Sequence, residues 1–402
     1  MFDRFSSHSR REFLRQSLSY FSVLLAAPYV HSSGVEKGAK AFNFTSTLMD
    51  LGPLQYADEN GCCLPKGFSS RIIARSGERV ASSSAYKWHW APDGGACFPM
   101  KDGGWVYVSN SEVSYFGGCS AIRFDASGEI TDAYNILSGT SRNCAGGATP
   151  YGTWLSCEED GDDGRVFECD PSGQQSAIER PALGYFNHEA IAYDTHQHIL
   201  YLTEDKPDGG FYRFIPSKLN KNGFADLSSG QLQIMQMGAD NQIHWHAIPD
   251  PQAKETPTRH QVKNSTPFNG GEGIAYYKGK VAFTTKGDNR VWVYEPEKNV
   301  LTVLYDQATS SNGILSGVDN MTVNFAGDYL VAEDGGDMQI VILNQQGQLA
   351  PLLSIEGHYD SEITGPAFSP DGKHLYFSSQ RGTSGHLNDG VTFQISGPFF
   401  RT

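Results

Sequence analysis

Glu189-Ala-Ile-Ala-Tyr and, after a short turn, Ile199-Leu-Tyr-Leu-Thr-Glu-Asp form a two-strand phrase. It reads as an acid, a small residue, an apolar-x-apolar strand, a turn, and a second apolar strand that ends in polar or acidic residues. The phrase returns as Glu272-Gly-Ile-Ala-Tyr with Val281-Ala-Phe-Thr-Thr-Lys, and as Asp319-Asn-Met-Thr-Val with Tyr329-Leu-Val-Ala-Glu-Asp. Further copies open at Asp93, Cys144 and Thr364. Four of the five intervals lie near 45 to 50 residues, and the longer one, from Glu189 to Glu272, carries an insertion around residues 218–268. A repeat of this length built from short strands predicts an all-β fold, a single six-bladed β-propeller. Third strands such as Arg290-Val-Trp-Val-Tyr-Glu and Gln339-Ile-Val-Ile-Leu follow each pair, and a weaker fourth completes a blade whose edges are hidden by radial repetition. Residues 43–92 are expected to add an outer strand and loop.

Equivalent residues of aligned blades ring one central channel. Asp93, Cys144, Glu189, Glu272, Asp319 and Thr364 are therefore expected at one mouth of it, one per blade. Two carboxylates about 4 Å apart repel by roughly 1 to 4 kcal/mol depending on the local dielectric. Four of them with a thiol predict a metal cluster in the channel. A second acidic set recurs at the second-strand ends: Asn110 and Glu112, Glu158 and Glu159, Glu204 and Asp205, Lys286 and Asp288, Glu333 and Asp334, Gln380 and Arg381. Acids are poor strand formers, so their return at one place needs a reason other than propensity, although any single one reads equally well as a solvated turn residue. Hard oxygen donors suit Ca²⁺ or Mg²⁺, whereas a thiolate suits iron or zinc, which together imply a mixed site.

The formal net charge of −14 over 402 residues argues against nucleic acid or an anionic membrane as partner, since phosphate-backbone binding rests on Lys and Arg. Ser9-Arg10-Arg11-Glu12-Phe13-Leu14 followed by a mostly apolar run reads as a twin-arginine export signal. The apolar run is too short for a stable membrane anchor. The expected organisation is a signal peptide and spacer over residues 1–42 and one propeller over residues 43–402, delivered by the twin-arginine translocase to the periplasm or beyond. All seven cysteines lie in the first half, and an odd number leaves at least one outside a disulfide in an oxidising compartment. Cys144 is the candidate because it alone falls on a ring position, and Cys157 with Cys169 is a plausible pair flanking one hairpin. Ile243-His-Trp-His-Ala offers two histidines, but strand alternation places both on one face as ordinary surface residues.

Asn143-Cys-Ala-Gly-Gly-Ala-Thr-Pro-Tyr-Gly-Thr-Trp-Leu-Ser-Cys-Glu-Glu, with Leu183-Gly-Tyr-Phe-Asn-His-Glu, Val331-Ala-Glu-Asp-Gly and Gly365-Pro-Ala-Phe-Ser-Pro-Asp-Gly, resembles the PhoX family of secreted alkaline phosphatases. The resemblance implies a Ca²⁺ and Fe³⁺ centre in the channel, acting on a small-molecule phosphate ester. It implies a metal-bridged oxide or hydroxide as nucleophile and no covalent Ser or Cys intermediate. It also implies Cys144, Glu159, Glu189 and Glu272 as metal ligands, with Cys144 an iron thiolate, and Asn110, Glu112, Asp319 and Glu333 as nearby ligands or their supports. One departure stands out: the family's phosphate-binding arginine precedes the Glu of the Glu-Gly motif by two residues, where this chain has Gly270. Lys286, Arg290 and Arg381 are the basic residues near channel-facing strand ends that could compensate, with Lys286 and Arg381 expected to hold substrate in its place. Two other readings fit the ring, a non-catalytic calcium-binding propeller and a propeller lactonase, the latter with no use for a thiolate.

Overall fold

The computed structural model describes residues 45–238 and 242–401, so the export motif lies outside the described residues. Within them the chain forms antiparallel sheets, and its helices are three-residue 3-10 turns. Blade one runs Pro92–Pro99, Trp105–Ser111, Gly117–Phe124, Ile130–Thr140, and blade two Asn143–Ala148, Trp154–Glu158, Val166–Cys169, Ile178–Glu179. Blade three, His188–Asp194, Ile199–Glu204, Phe211–Pro216 and Gly230–Met237, takes a fifth strand, Ile243–Ala247, from the insertion. Blade four is Gly271–Tyr277, Lys280–Thr285, Arg290–Glu295, Val300–Asp306. Blade five, Val318–Val323, Tyr329–Glu333, Gln339–Leu343 and Leu349–Ile355, gains Cys62–Cys63 at its outer edge.

Blade six holds the closure. Ile363–Phe368, His374–Ser379 and Val391–Ser396 come from the end of the chain, and the outermost strand, Ser69–Arg75, from its beginning. Joining the two ends through a full ladder leaves no open edge in the ring. The outer strand expected from residues 43–92 is this one.

Six apolar clusters lie between neighbouring blades, for example Leu330, Ile340 and Ile342 of blade five against Ile363, Leu375 and Phe377 of blade six. Val331 and Val341, one residue out of phase, pack the other way, against Val291 of blade four. Both faces of a blade are thus covered, and this is why the strands read as unbroken apolar runs rather than an alternation. Phe211 stacks on Phe283 across the third interface at a centroid distance of 4.3 Å.

One expectation changes here, and the reading of the Ile243-His-Trp-His-Ala histidines as ordinary surface residues stands. All seven cysteines are free. Cys157 faces Val166 and Cys169 faces Trp154 at opposite ends of their hairpin, so the plausible Cys157–Cys169 pair is separated by the ladder itself. In Ile243–Ala247, Trp245 lies under the Arg213 guanidinium at 4.6 Å and donates to Tyr294 Oη at 3.1 Å, while His246 bonds Gln236. These residues pack an outer edge.

Candidate metal centre

Each innermost strand carries a β-bulge at the same place. Pairing slips between Pro92 and Gly95, Asn143 and Gly146, His188 and Ile191, Gly271 and Ile274, Val318 and Met321, and Thr364 and Ala367. The extra residue re-aims the side chain after the first paired residue. At five blades that residue is Asp93, Cys144, Glu189, Glu272 or Asp319, all buried. The residue after it lines a small cavity in the channel below, among them Gly94, Ala145, Ala190, Gly273, Asn320 and Gly365. The small residue of the phrase follows from this crowding: a Cβ on Gly273 would meet Asn320 and Met321 backbone at under 3 Å, and Gly365 holds φ +59° beside the Asp93 carbonyl.

A second ring comes from the residue after each second strand: Glu112, Glu159, Asp205, Lys286, Asp334 and Gln380. The two rings interlock. Donor atoms of Cys144, Glu159 and Glu189 lie within 4.8 Å of one another, as do those of Asp93, Glu112 and Glu362, of Glu189, Glu272 and Asp319, and of Asp319, Asp334 and Glu362. Glu189, Asp319 and Glu362 each serve two groups. Glu189 Oε1 contacts Cys144 Sγ and Asn320 Nδ2, both at 3.4 Å, whereas its buried Oε2 has no hydrogen-bond partner, and neither has Glu272 Oε1, which Lys286 Nζ approaches only to 3.8 Å. A buried carboxylate oxygen without a hydrogen bond costs several kcal/mol, and two of them, one on the carboxylate that meets the Cys144 thiol, fit cations that supply the missing partners.

Electrostatics argue the same way. Burial, then the neighbouring carboxylates, pushes Glu189, Glu272 and Asp93 well above the usual carboxylate range, and Glu159 to about 8. Burial and the same acids push the Cys144 thiol up. Without a metal Cys144 is thus a thiol, and coordination would be what makes it a thiolate. These raised carboxylates stabilise the folded state fully below their unfolded pKa, and that contribution is lost as pH rises through the folded value. Metal-free protein is therefore expected to melt progressively lower from about pH 4.5 to about 8, by a few degrees per unit, while the metal-loaded form, which needs ionised ligands, does not. Melting curves across this pH range, with and without chelator, read the difference.

Three expected residues do something else. Asn110 donates to the Cys144 and Ala145 carbonyls at 3.0 and 2.7 Å and accepts from Trp154 Nε1 and Ser156 Oγ at 2.9 and 2.8 Å. Its amide is spent on clamping blade one to blade two. Asn110→Ala should cost about 3 to 4 kcal/mol in urea unfolding, with metal content per chain unchanged. Glu333 accepts the backbone N–H groups of Ser316 and Gln339 at 2.8 and 3.1 Å, turned toward its own hairpin, as Glu158 accepts from Ser141 and Arg165. Thr364 donates to the Pro92 carbonyl at 2.8 Å and joins blade six to blade one.

Asp334 and Glu362 take part in the groups that Asn110 and Glu333 do not. Asp334 is legible as the neighbour of Glu333, but Glu362 stands two residues before Thr364, the place that Asn187 and Gly270 hold in their blades, where no other copy carries an acid. Asn320 was also missed; its amide braces Asp319 at 2.8 Å and accepts the Gly365 N–H at 2.9 Å.

Lys286 and Arg381 both stand at the mouth, already paired. Lys286 Nζ lies 2.6 Å from Asp334, 2.9 Å from Asp319 and 3.8 Å from Glu272. Arg381 reaches Glu362 at 2.9 Å and Asp334 at 3.4 Å.

Fold and site together define a six-bladed propeller whose channel mouth gathers buried carboxylates and a thiol that could hold metal. Residues 112–382 match the family model described as alkaline phosphatase PhoX, and the chain belongs to that family and is a phosphoric ester hydrolase. A search of curated protein sequences finds no match. Among solved structures, Pseudomonas fluorescens PhoX in complex with vanadate, a transition state analogue, superposes with a TM-score of 0.70 at 16% identity, covering 86% of this chain and 97% of that one. A Bacteroides thetaiotaomicron protein of unknown function gives 0.50 at 9% identity, covering 86% and 83%. A gluconolactonase from Xanthomonas campestris gives 0.44 at 12% identity, covering 87% and 98%. No helix among the described residues is long and apolar enough to cross a membrane.

Proposed function

We propose that this chain hydrolyses small-molecule phosphate esters at a mixed centre, with iron held by Cys144, Glu159 and Glu189, and calcium on carboxylate clusters that include Asp93, Glu112, Glu272 and Asp319. The observation that carries the reading is a pair of buried carboxylate oxygens without hydrogen bonds, Glu189 Oε2 and Glu272 Oε1, the first on the carboxylate that meets the free Cys144 thiol, in a chain of this family. When bound, the metals supply Lewis-acid activation of the phosphoryl group and of the attacking water.

The chain's own residues hold that arrangement in place. Asn187 donates to Glu159 at 2.9 Å and Asn320 to Glu189, fixing which oxygens face inward. Lys286 and Arg381 put positive charge at a mouth that would otherwise repel a phosphate ester. Each meets substrate only by sharing itself with a carboxylate, so their grip adds less than that of an unpaired guanidinium. Gly270, at the family's arginine position, has φ +70° and turns its Cβ direction toward Asp205 and Lys286. Substrate phosphate is then held chiefly by metal, with a looser grip than a dedicated arginine gives. The acidic mature surface and the twin-arginine motif support release to the periplasm or beyond.

The test is turnover of one phosphomonoester and one phosphodiester by protein exported through its native route, with metal content measured on the same sample. Hydrolysis lost on chelation and regained with calcium and iron is the expected result. Iron- and calcium-loaded protein that turns over neither ester would make the propeller a non-catalytic metal-binding module.

A further inference from the structure

The second ring offers oxygen donors at five blades, Glu112, Glu159, Asp205, Asp334 and Gln380, and a cation at one, Lys286. Its ammonium lies 2.6 and 2.9 Å from Asp334 and Asp319, a little beyond Ca²⁺–oxygen distances of about 2.3 to 2.6 Å, so it fills the volume an ion at those carboxylates would need. Arg381 covers Glu362, the third member of that group. Three carboxylates therefore already face two fixed positive charges. The other groups are not covered throughout: Lys286 also reaches Glu272, and Glu362 is shared with the Asp93 and Glu112 group, but among the described residues no basic side chain lies within 4.0 Å of Glu159, Glu189, Asp93 or Glu112. Gly270 fits the same picture. A Cβ there would meet Asp205 Oδ1 first, at 3.1 Å, and the Lys286 Cβ at an ordinary contact of 3.6 Å, while the Gly270 carbonyl accepts the Lys286 N–H at 2.8 Å and fixes where the lysine stem leaves the backbone.

Building on the metal-centre reading, we propose that Lys286 is a tethered cation that, with Arg381, closes the Asp319, Asp334 and Glu362 cluster, so that this cluster takes no metal in the natural chain. Three ammonium protons can satisfy several carboxylate oxygens without the strict geometry a divalent ion imposes, and a covalently attached charge cannot be removed by a chelator. The centre then binds one divalent ion fewer than its four acidic groups would allow.

Calcium stoichiometry, by calorimetric titration and elemental analysis of the full exported chain, tests this on the natural protein, Lys286→Met and Asp334→Asn. Lys286→Met, which keeps the stem and loses the charge, should bind one more divalent ion per chain. Asp334→Asn should hold the natural count, because the cluster it belongs to holds no ion. An equal or lower count in Lys286→Met, or a count one lower in Asp334→Asn, overturns the proposal while leaving the metal centre standing. If Lys286→Met fails to fold, the Asp334→Asn count decides alone. If none of the three proteins binds metal, the metal-centre reading falls and takes this one with it.

Discussion

Cys144→Ser is expected to remove the transition metal and to lower phosphate ester turnover by roughly 10³-fold or more, while all six blades stay folded. Cys144 is buried at the channel mouth with Sγ 3.4 Å from Glu189, and no other cysteine joins the acidic groups. A serine hydroxyl fills nearly the same space but does not ionise as a thiol does when a metal binds, so the iron loses its thiolate ligand. Losing Lewis-acid assistance costs several kcal/mol of transition-state stabilisation, and each 1.36 kcal/mol is a factor of ten. Iron analysis, circular dichroism and turnover on one preparation check it. Full iron with unchanged turnover would show that the thiol is only a buried small residue.

Glu189→Gln should have the broadest effect on metal, because one carboxylate serves both the Cys144 and Glu159 group and the Glu272 and Asp319 group. The amide preserves shape and can still meet Asn320, but it removes the charge that both groups use. Two ions per chain should be lost, and turnover should fall at least as far as in Cys144→Ser. Metal-free protein should respond in the opposite sense. There the substitution removes a buried, unpartnered carboxylate oxygen pressed by Asp319 and Glu159, so chemical unfolding should show about 1 to 3 kcal/mol of added stability. Metal content and turnover at the natural level would defeat the assignment of Glu189 by repeat phase. Glu333→Gln is the internal contrast: a change at the hairpin clamp should leave metal in place.

The contrast between Glu333 and Glu189 explains how far the sequence could be read. Glu189, Glu272, Asp319, Asp93 and Cys144 were legible because each opens the same phrase, and the same bulge turns each into the channel. Glu159 and Glu112 followed from the second-strand ends. At those ends, however, two polar residues usually stand side by side, and strand alternation sends neighbours to opposite faces. A one-residue difference therefore separates Asp334, in the channel, from Glu333, on its hairpin. Asn110 lies two residues before Glu112 and keeps its parity, but one step deeper, where blade two's carbonyls and Trp154 consume its amide.

The sequence by itself determined the propeller, its six blades and the first ring with Cys144 in it, because these rest on local periodicity and on a phrase repeated from copy to copy; that the other six cysteines are free as well it did not foretell. Only the tertiary structure decided the rest. Ser69–Arg75 closes blade six across more than three hundred residues, and no local pattern announces its partner. Glu362 enters the site two residues before Thr364, where no other copy carries an acid, and Lys286 meets Asp319 and Asp334 from the neighbouring blade. Strand pattern fixes which way a side chain points along its own blade. Which charges end within reach of one another is set by how six blades converge on one axis, where residues far apart in the chain share a few ångströms and the dielectric is low enough for each pairing to matter.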